Sequence, residues 1–130
     1  MKVDIFTLCD GVFSYEDKLT IVGVHDTLTL FNLTATPVNI NIAAHLLFES
    51  DECGENTIRI YAEETENGAI ILDLRDRLAI SRRESHGTGT LNVALMGIPV
   101  LFPKTGIYRF TIEVEGRGSA HTLLNVRSHT

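Results

Sequence analysis

His25 and Asp26 stand side by side in a chain that carries Cys9 and Asp10 a little earlier. These are the residue types from which a small hydrolase assembles a base, the carboxylate that orients it and a nucleophile. No serine or cysteine is partnered to them by spacing, and a His-Asp pair after a strand also serves as a turn or cap. The other histidines, His45, His86, His121 and His129, form no HxH or HxxxH pair. His45 and His121 fall on outward faces of predicted strands and could meet across a sheet, but a metal needs a third ligand. No metal or other cofactor is therefore expected.

Two charged segments are candidates for ions. Residues 49–56, Glu-Ser-Asp-Glu-Cys-Gly-Glu-Asn, form an acidic loop of the kind that collects oxygen ligands for calcium, without the Asp-x-Asp-x-Asp-Gly pattern. A solvated acidic hairpin is the plainer account. Arg75, Arg77, Arg82 and Arg83 concentrate positive charge, and Arg75 and Arg77 share a face if extended. Guanidinium forks grip carboxylates and phosphates. The more economical role for these arginines is pairing across strands with the acidic turn Glu63-Glu64-Thr65-Glu66. Gly87-Thr88-Gly89-Thr90 lacks the following helix and lysine of a phosphate cradle and reads as a turn.

The elements that position these residues are strands. From Asn39 to Glu49, Ile40, Ile42, Ala44, Leu46 and Phe48 fall on one face, and Asn39, Asn41, His45 and Glu49 on the other. From Tyr108 to Glu115, Tyr108, Phe110, Ile112 and Val114 alternate with Arg109, Thr111, Glu113 and Glu115. A helix would scatter both sets; a strand sorts them. Further strands are read at Val3–Cys9, Leu19–His25, Thr27–Phe31, Thr57–Glu63, Ala69–Leu74, Arg77–Arg83, Thr90–Met96 and Ala120–Arg127. Asn67-Gly68 marks a hairpin, and Gly116-Arg117-Gly118 marks another at the C-terminal end. A short helix is allowed at Asp10–Glu16 or Arg82–His86. Eight to ten short strands with turns between them predict an all-β, two-sheet antiparallel sandwich in a single domain, 1–130. Pro103-Lys104-Thr105-Gly106 ahead of Tyr108 resembles the corner of an immunoglobulin-like sandwich.

Composition narrows the function classes. The net charge is −6, and an acidic surface repels nucleic-acid phosphates and anionic lipid. No run reaches membrane-spanning length, and Met1-Lys2-Val3-Asp4 does not open a secretory signal, so a soluble cytoplasmic chain is expected. Without secretion the sequon Asn32-Leu33-Thr34 carries no information. Cys9 and Cys53 form no CxxC; spacing leaves a bond between them open, and a buried free thiol suits Cys9 better.

Apolar residues exceed what one sandwich core needs. Leu46-Leu47, Ile70-Ile71-Leu72 and Leu123-Leu124 place large side chains on both faces of their strands, and the run from Val93 to Phe102 is almost wholly apolar. Such faces are either covered by the chain itself or form an interface. The leading expectation is a non-enzymatic binding or assembly module, self-associating or holding another protein through an outer face with Leu47, Ile71 or Leu123. The rival is a small metal-dependent or hydrolytic enzyme using His25, Asp26 and Asp10 at one end of the sandwich. With no Trp and only Tyr15, Tyr61 and Tyr108, a sugar ligand is the weaker choice.

Phe6-Thr7-Leu8-Cys9-Asp10 followed by Asp17-Lys18-Leu19-Thr20-Ile21-Val22-Gly23-Val24-His25-Asp26 resembles the opening of a bacterial family of small β-sandwich domains of unknown function. The family pattern is Cys-Asp, then Lys-Leu-x-x-x-Gly-x-x-Asp. Gly106-Ile107-Tyr108-Arg109-Phe110 is similar to that family's close. The resemblance implies a β-sandwich and no particular activity.

Overall fold

A computed structural model describes residues 1–31, 36–83 and 87–129. The sequon 32–34, His86 and most of the proposed Arg82–His86 helix lie outside them. Among the described residues there are nine strands: β1 (Lys2–Tyr15), β2 (Lys18–His25), β3 (Thr27–Leu30), β4 (Val38–Phe48), β5 (Gly54–Glu64), β6 (Ile70–Ile80), β7 (Gly89–Val100), β8 (Gly106–Val114) and β9 (Gly118–Ser128). One 3-10 turn, Ser50–Glu52, links β4 to β5. No helix among them is long and apolar enough to cross a membrane.

The strands form two sheets, β2-β1-β4-β7 and β3-β9-β8-β5-β6, so the chain is an all-β two-sheet sandwich. Every neighbouring pair is antiparallel except β3 with β9, which is parallel and joins Thr27 to Asn125 and Leu30 to Ser128. The alternation read in β4 and β8 holds. Ile40, Ile42, Ala44, Leu46 and Phe48 face Tyr108, Phe110, Ile112 and Val114 across the interior, all buried. The corner before β8 is closed by Tyr108. Its hydroxyl donates to the Lys104 carbonyl at 2.6 Å, and its ring meets Phe102 edge-on at 5.1 Å. This is the tyrosine corner of immunoglobulin-like sandwiches.

Three elements differ from the sequence expectation. The segment allowed as a helix at Asp10–Glu16 is instead the second half of β1, because it pairs with β2 down to Tyr15–Lys18. The two strands read at Ala69–Leu74 and Arg77–Arg83 are one strand, β6, ending at Ile80. Its outward residues Asp73, Arg75 and Arg77 are a solvated face, not a break. At its start Ile71 is an extra residue opposite the Ala62/Glu63 step of β5.

The second half of the β1–β2 hairpin explains part of the apolar surplus. Val12, Leu19 and Ile21 pack with Cys9, Ala43 and Ala94 in a second small cluster. The hairpin tip reaches β7, where the Asn92 amide donates to the Asp17 carbonyl at 3.1 Å. Asn41, opposite the bulge that β7 makes at Met96–Gly97, ties the layer together: its amide donates to the Asp10 carbonyl and its oxygen accepts from the Gly97 N–H, both at 2.9 Å. The chain therefore covers the part of its four-stranded sheet around Ala43 and Ala94.

Candidate functional site

The residues of the hydrolase expectation lie near one another without forming a relay. His25 Nε2 is 3.8 Å from Asp10 Oδ1, beyond hydrogen-bonding range. Asp26 turns to its neighbour and accepts from the Thr27 hydroxyl at 3.1 Å. The Cys9 thiol faces the Asn41 carbonyl, and burial pushes its pKa up. A thiol so placed is a poor nucleophile, because the thiolate is the reactive form. His25, Asp26, Asp10 and Cys9 line none of the four clefts described for this fold. Cys9 and Cys53 are both free. Iodoacetamide treatment of the folded protein is expected to modify Cys53 and spare Cys9. Intact-mass spectra should show one adduct when native and two when unfolded; rapid double labelling of native protein would contradict the burial of Cys9.

Two carboxylates of the acidic loop are engaged within the chain. Glu52 takes the Met1 ammonium at 2.6 Å and Arg117 at 3.8 Å, which holds its carboxyl below the usual carboxylate range, and Glu55 takes Arg77 at 2.5 Å. Among the described residues no group of three or more His, Cys, Asp or Glu side chains could hold a metal ion. His45 and His121 are in different sheets, and His45 Nδ1 meets Asn92 Oδ1 at 2.5 Å.

Arg75 and Arg77 do share the outer face of β6, but neither pairs with the turn at 63–66. That turn is met instead by Lys104, at 2.6 Å from Glu64 and 3.2 Å from Glu66, and by Arg109, at 3.7 Å from Glu63. The reason is register: β5 sets Arg75 opposite Arg59 and Arg77 opposite Thr57, away from the turn. Arg59 grips Asp73 with two bonds, at 2.8 and 3.0 Å, and holds that carboxyl below the usual range. Arg75 borders a small cleft with Thr57, Arg59, Glu113 and Glu115, where carboxylates are already present.

Leu47, Ile71 and Leu123 are on separate surfaces. Leu47 lies on the four-stranded sheet beside a cleft of about 280 Å³ that includes Arg83 and Thr90. Leu123 is on the five-stranded sheet, opposite Arg109 on a polar face. Ile71 packs in part against the core, and its neighbour Ile70 is the exposed one.

The feature that brings apolar surface and free backbone together is the side of the sandwich where the sheets part. β6 ends one sheet and β7 ends the other, and each pairs with a single neighbour. Between them runs a cleft of about 360 Å³ lined by Ile58 and Ile60 of β5, Leu74 and Leu78 of β6, and Val93, Leu95 and Ile98 of β7, with Arg75 and Asp76 at its rim. The two edges differ in kind. β6 carries Asp73, Arg75, Asp76 and Arg77, and Asp76 Oδ1 accepts the Arg77 N–H at 2.8 Å. Charges and a capped donor protect an edge from added strands. β7, from Gly89 to Val100, holds no charged residue. The uncharged run Val93 to Phe102 was visible in the sequence; its position at a sheet edge over a cleft was not, because that depends on which strands become neighbours.

Comparisons with solved structures place the sandwich beside part of a much longer protein. The β-glucosidase from Listeria innocua in complex with gluconolactone superposes with a TM-score of 0.51 at 13% identity, over 97% of this chain and 16% of that one. The same enzyme in complex with isofagomine gives a TM-score of 0.50 at 11% identity, over 96% and 16%. The likeness is one of fold, and the chain spans about a sixth of the enzyme's length. A search of curated proteins found no match. Residues 4–127 match the model of a family of unknown function, DUF6941, and the chain belongs to that family.

Proposed function

We propose that this domain is a non-enzymatic recognition module that takes up an extended segment of a partner polypeptide along β7. The observation that carries the reading is the uncharged free edge of β7 backed by the cleft between the sheets. An added strand would complete the backbone pairs that β7 leaves open. Its alternate side chains would be buried against Leu74, Leu78, Val93 and Leu95. Strand addition draws affinity from main-chain bonds and specificity from the pockets that receive every second side chain. The spacing of the histidine, carboxylate and thiol groups supports this reading over the hydrolytic one.

A library of displayed nonapeptides, selected on the wild-type domain and on Leu95→Asp, tests it. Selected sequences are expected to alternate aliphatic with polar residues and to lose binding to Leu95→Asp. Circular dichroism and a cooperative melt verify that the variant is folded. N-methylating alternate amides of a selected peptide should abolish binding without changing its side chains. Enrichment of helical sequences, or binding that survives N-methylation, would refute strand addition. A second copy is the competing occupant, since antiparallel pairing about Val93 sets Leu91 opposite Leu95 of the partner. Light scattering that shows a dimer dissolved by Leu95→Asp would put another copy of the domain in the foreign strand's place.

A further inference from the structure

The apolar cleft is not the whole of the β7 edge. Next along the same two strands lies a second cleft of about 460 Å³, formed by Thr90, Leu91 and Asn92 of β7, the end of β6 with Ser81, Arg82 and Arg83, and Ser14 and Asp17 from the β1–β2 tip. The two clefts follow one another in register. Residues 93–98 of β7 border the apolar one with residues 74–78, and residues 90–92 border the polar one with residues 79–83. A strand along Thr90–Leu95, up to the bulge at Met96–Gly97, covers six residues, roughly 20 Å at about 3.3 Å each, and would border both clefts.

We infer that the segment accepted along β7 carries a carboxylate at the end that passes Arg82 and Arg83, with its aliphatic side chains in the cleft beyond. This rests on the strand-addition reading above and adds the chemistry of the ligand. The argument is charge complementarity. Among the described residues two guanidiniums border the polar cleft against one carboxylate, Asp17, so these side chains make it locally cationic on a chain of net charge −6. The Ser14, Ser81 and Thr90 hydroxyls line the same space and can donate to an anion. Arginine is suited to carboxylates because its fork matches both oxygens. A strand antiparallel to β7 has its C-terminal end beside Thr90. The occupant is therefore an extended segment with alternating aliphatic residues that finishes in an acidic side chain.

The test uses four fluorescently labelled, C-terminally amidated nonapeptides of alternating valine and threonine. One ends in aspartate, one in asparagine and one in lysine; the fourth carries aspartate at its N-terminal position instead. Fluorescence anisotropy with the full chain is expected to show the aspartate-ended peptide binding about tenfold tighter than the asparagine-ended one, as a charge-assisted contact to arginine implies. In the Arg82→Glu/Arg83→Glu variant that preference should invert toward the lysine-ended peptide, while Leu95→Asp should weaken all four. Equal binding of the aspartate- and asparagine-ended peptides, with both lost in Leu95→Asp, would overturn the carboxylate inference and leave strand addition standing. Preference for the N-terminal aspartate would overturn the antiparallel placement. Binding of none of the four by the wild-type chain would remove strand addition itself, and this inference with it.

Discussion

Replacing Phe110 by alanine is expected to cost about 3–5 kcal/mol of folding stability and to lower the melting midpoint by roughly 10–20 °C. Phe110 is wholly buried on β8, in a core shared with Ala62, Tyr108 and Ile112. Truncation removes the ring's transfer free energy and leaves a cavity that the sheets on either side cannot easily close, because both are held in register by paired strands. Tyr108→Phe is the companion measurement. It keeps the ring against Phe102 and deletes only the hydroxyl that bonds the Lys104 carbonyl, so a loss of about 1 kcal/mol is expected. Thermal melts followed by circular dichroism check both. A Phe110→Ala loss below about 1 kcal/mol would mean that β8 does not face a close-packed interior.

The second large effect is expected at Gly23. Its φ is +67°, and a Cβ built there would lie 2.1 Å from Asp10 Oδ2 and 2.8 Å from Asp10 Cβ. The left-handed backbone alone costs an L-residue roughly 1–2 kcal/mol. The contact adds to this, because the nearer atoms of Asp10 must move as well as its flexible end. Gly23→Ala should therefore cost about 2 kcal/mol or more. Gly68 separates the two contributions: its φ is +70° but nothing lies within 4 Å of a built Cβ. Gly68→Ala should show the backbone cost only. In a urea-denaturation cycle, Asp10→Gly should recover the excess in Gly23→Ala and leave the backbone share in place. Equal costs at Gly23 and Gly68 would show that β1 and β2 do not bring Asp10 and Gly23 together.

Much of the architecture was legible because strands buried on one face write period-two patterns. Ile40 to Phe48 and Tyr108 to Val114 are such segments, and the Asn67-Gly68 hairpin and the Tyr108 corner were readable from local chemistry. The errors came where the pattern served two purposes. β1 beyond Cys9 reads irregularly because its side chains line a cluster under the hairpin instead of the main core. β6 reads as two strands because Asp76 interrupts its inward series of Leu72, Leu74 and Leu78. The candidate site was legible in parts. The chemistry of Arg82 and Arg83 and the apolar run after Val93 could be read, but not their alignment along two unpaired edges. That alignment arises from non-local neighbours, which no local pattern encodes.

β3 illustrates the cost of such non-local neighbours. These four residues find their partner on β9, so Thr27 waits for Asn125, close to a hundred residues downstream. On a ribosome adding roughly 5–20 residues per second, the segment would be exposed for about 5–20 s before its mate emerges. Long-range parallel pairing is also among the slowest contacts to form. The five-stranded sheet is thus completed at its β3 margin only once β9 has been made, and a nascent chain halted before β9 would carry every strand of the four-stranded sheet and β8, β5 and β6 of the other, with β3 left unpaired.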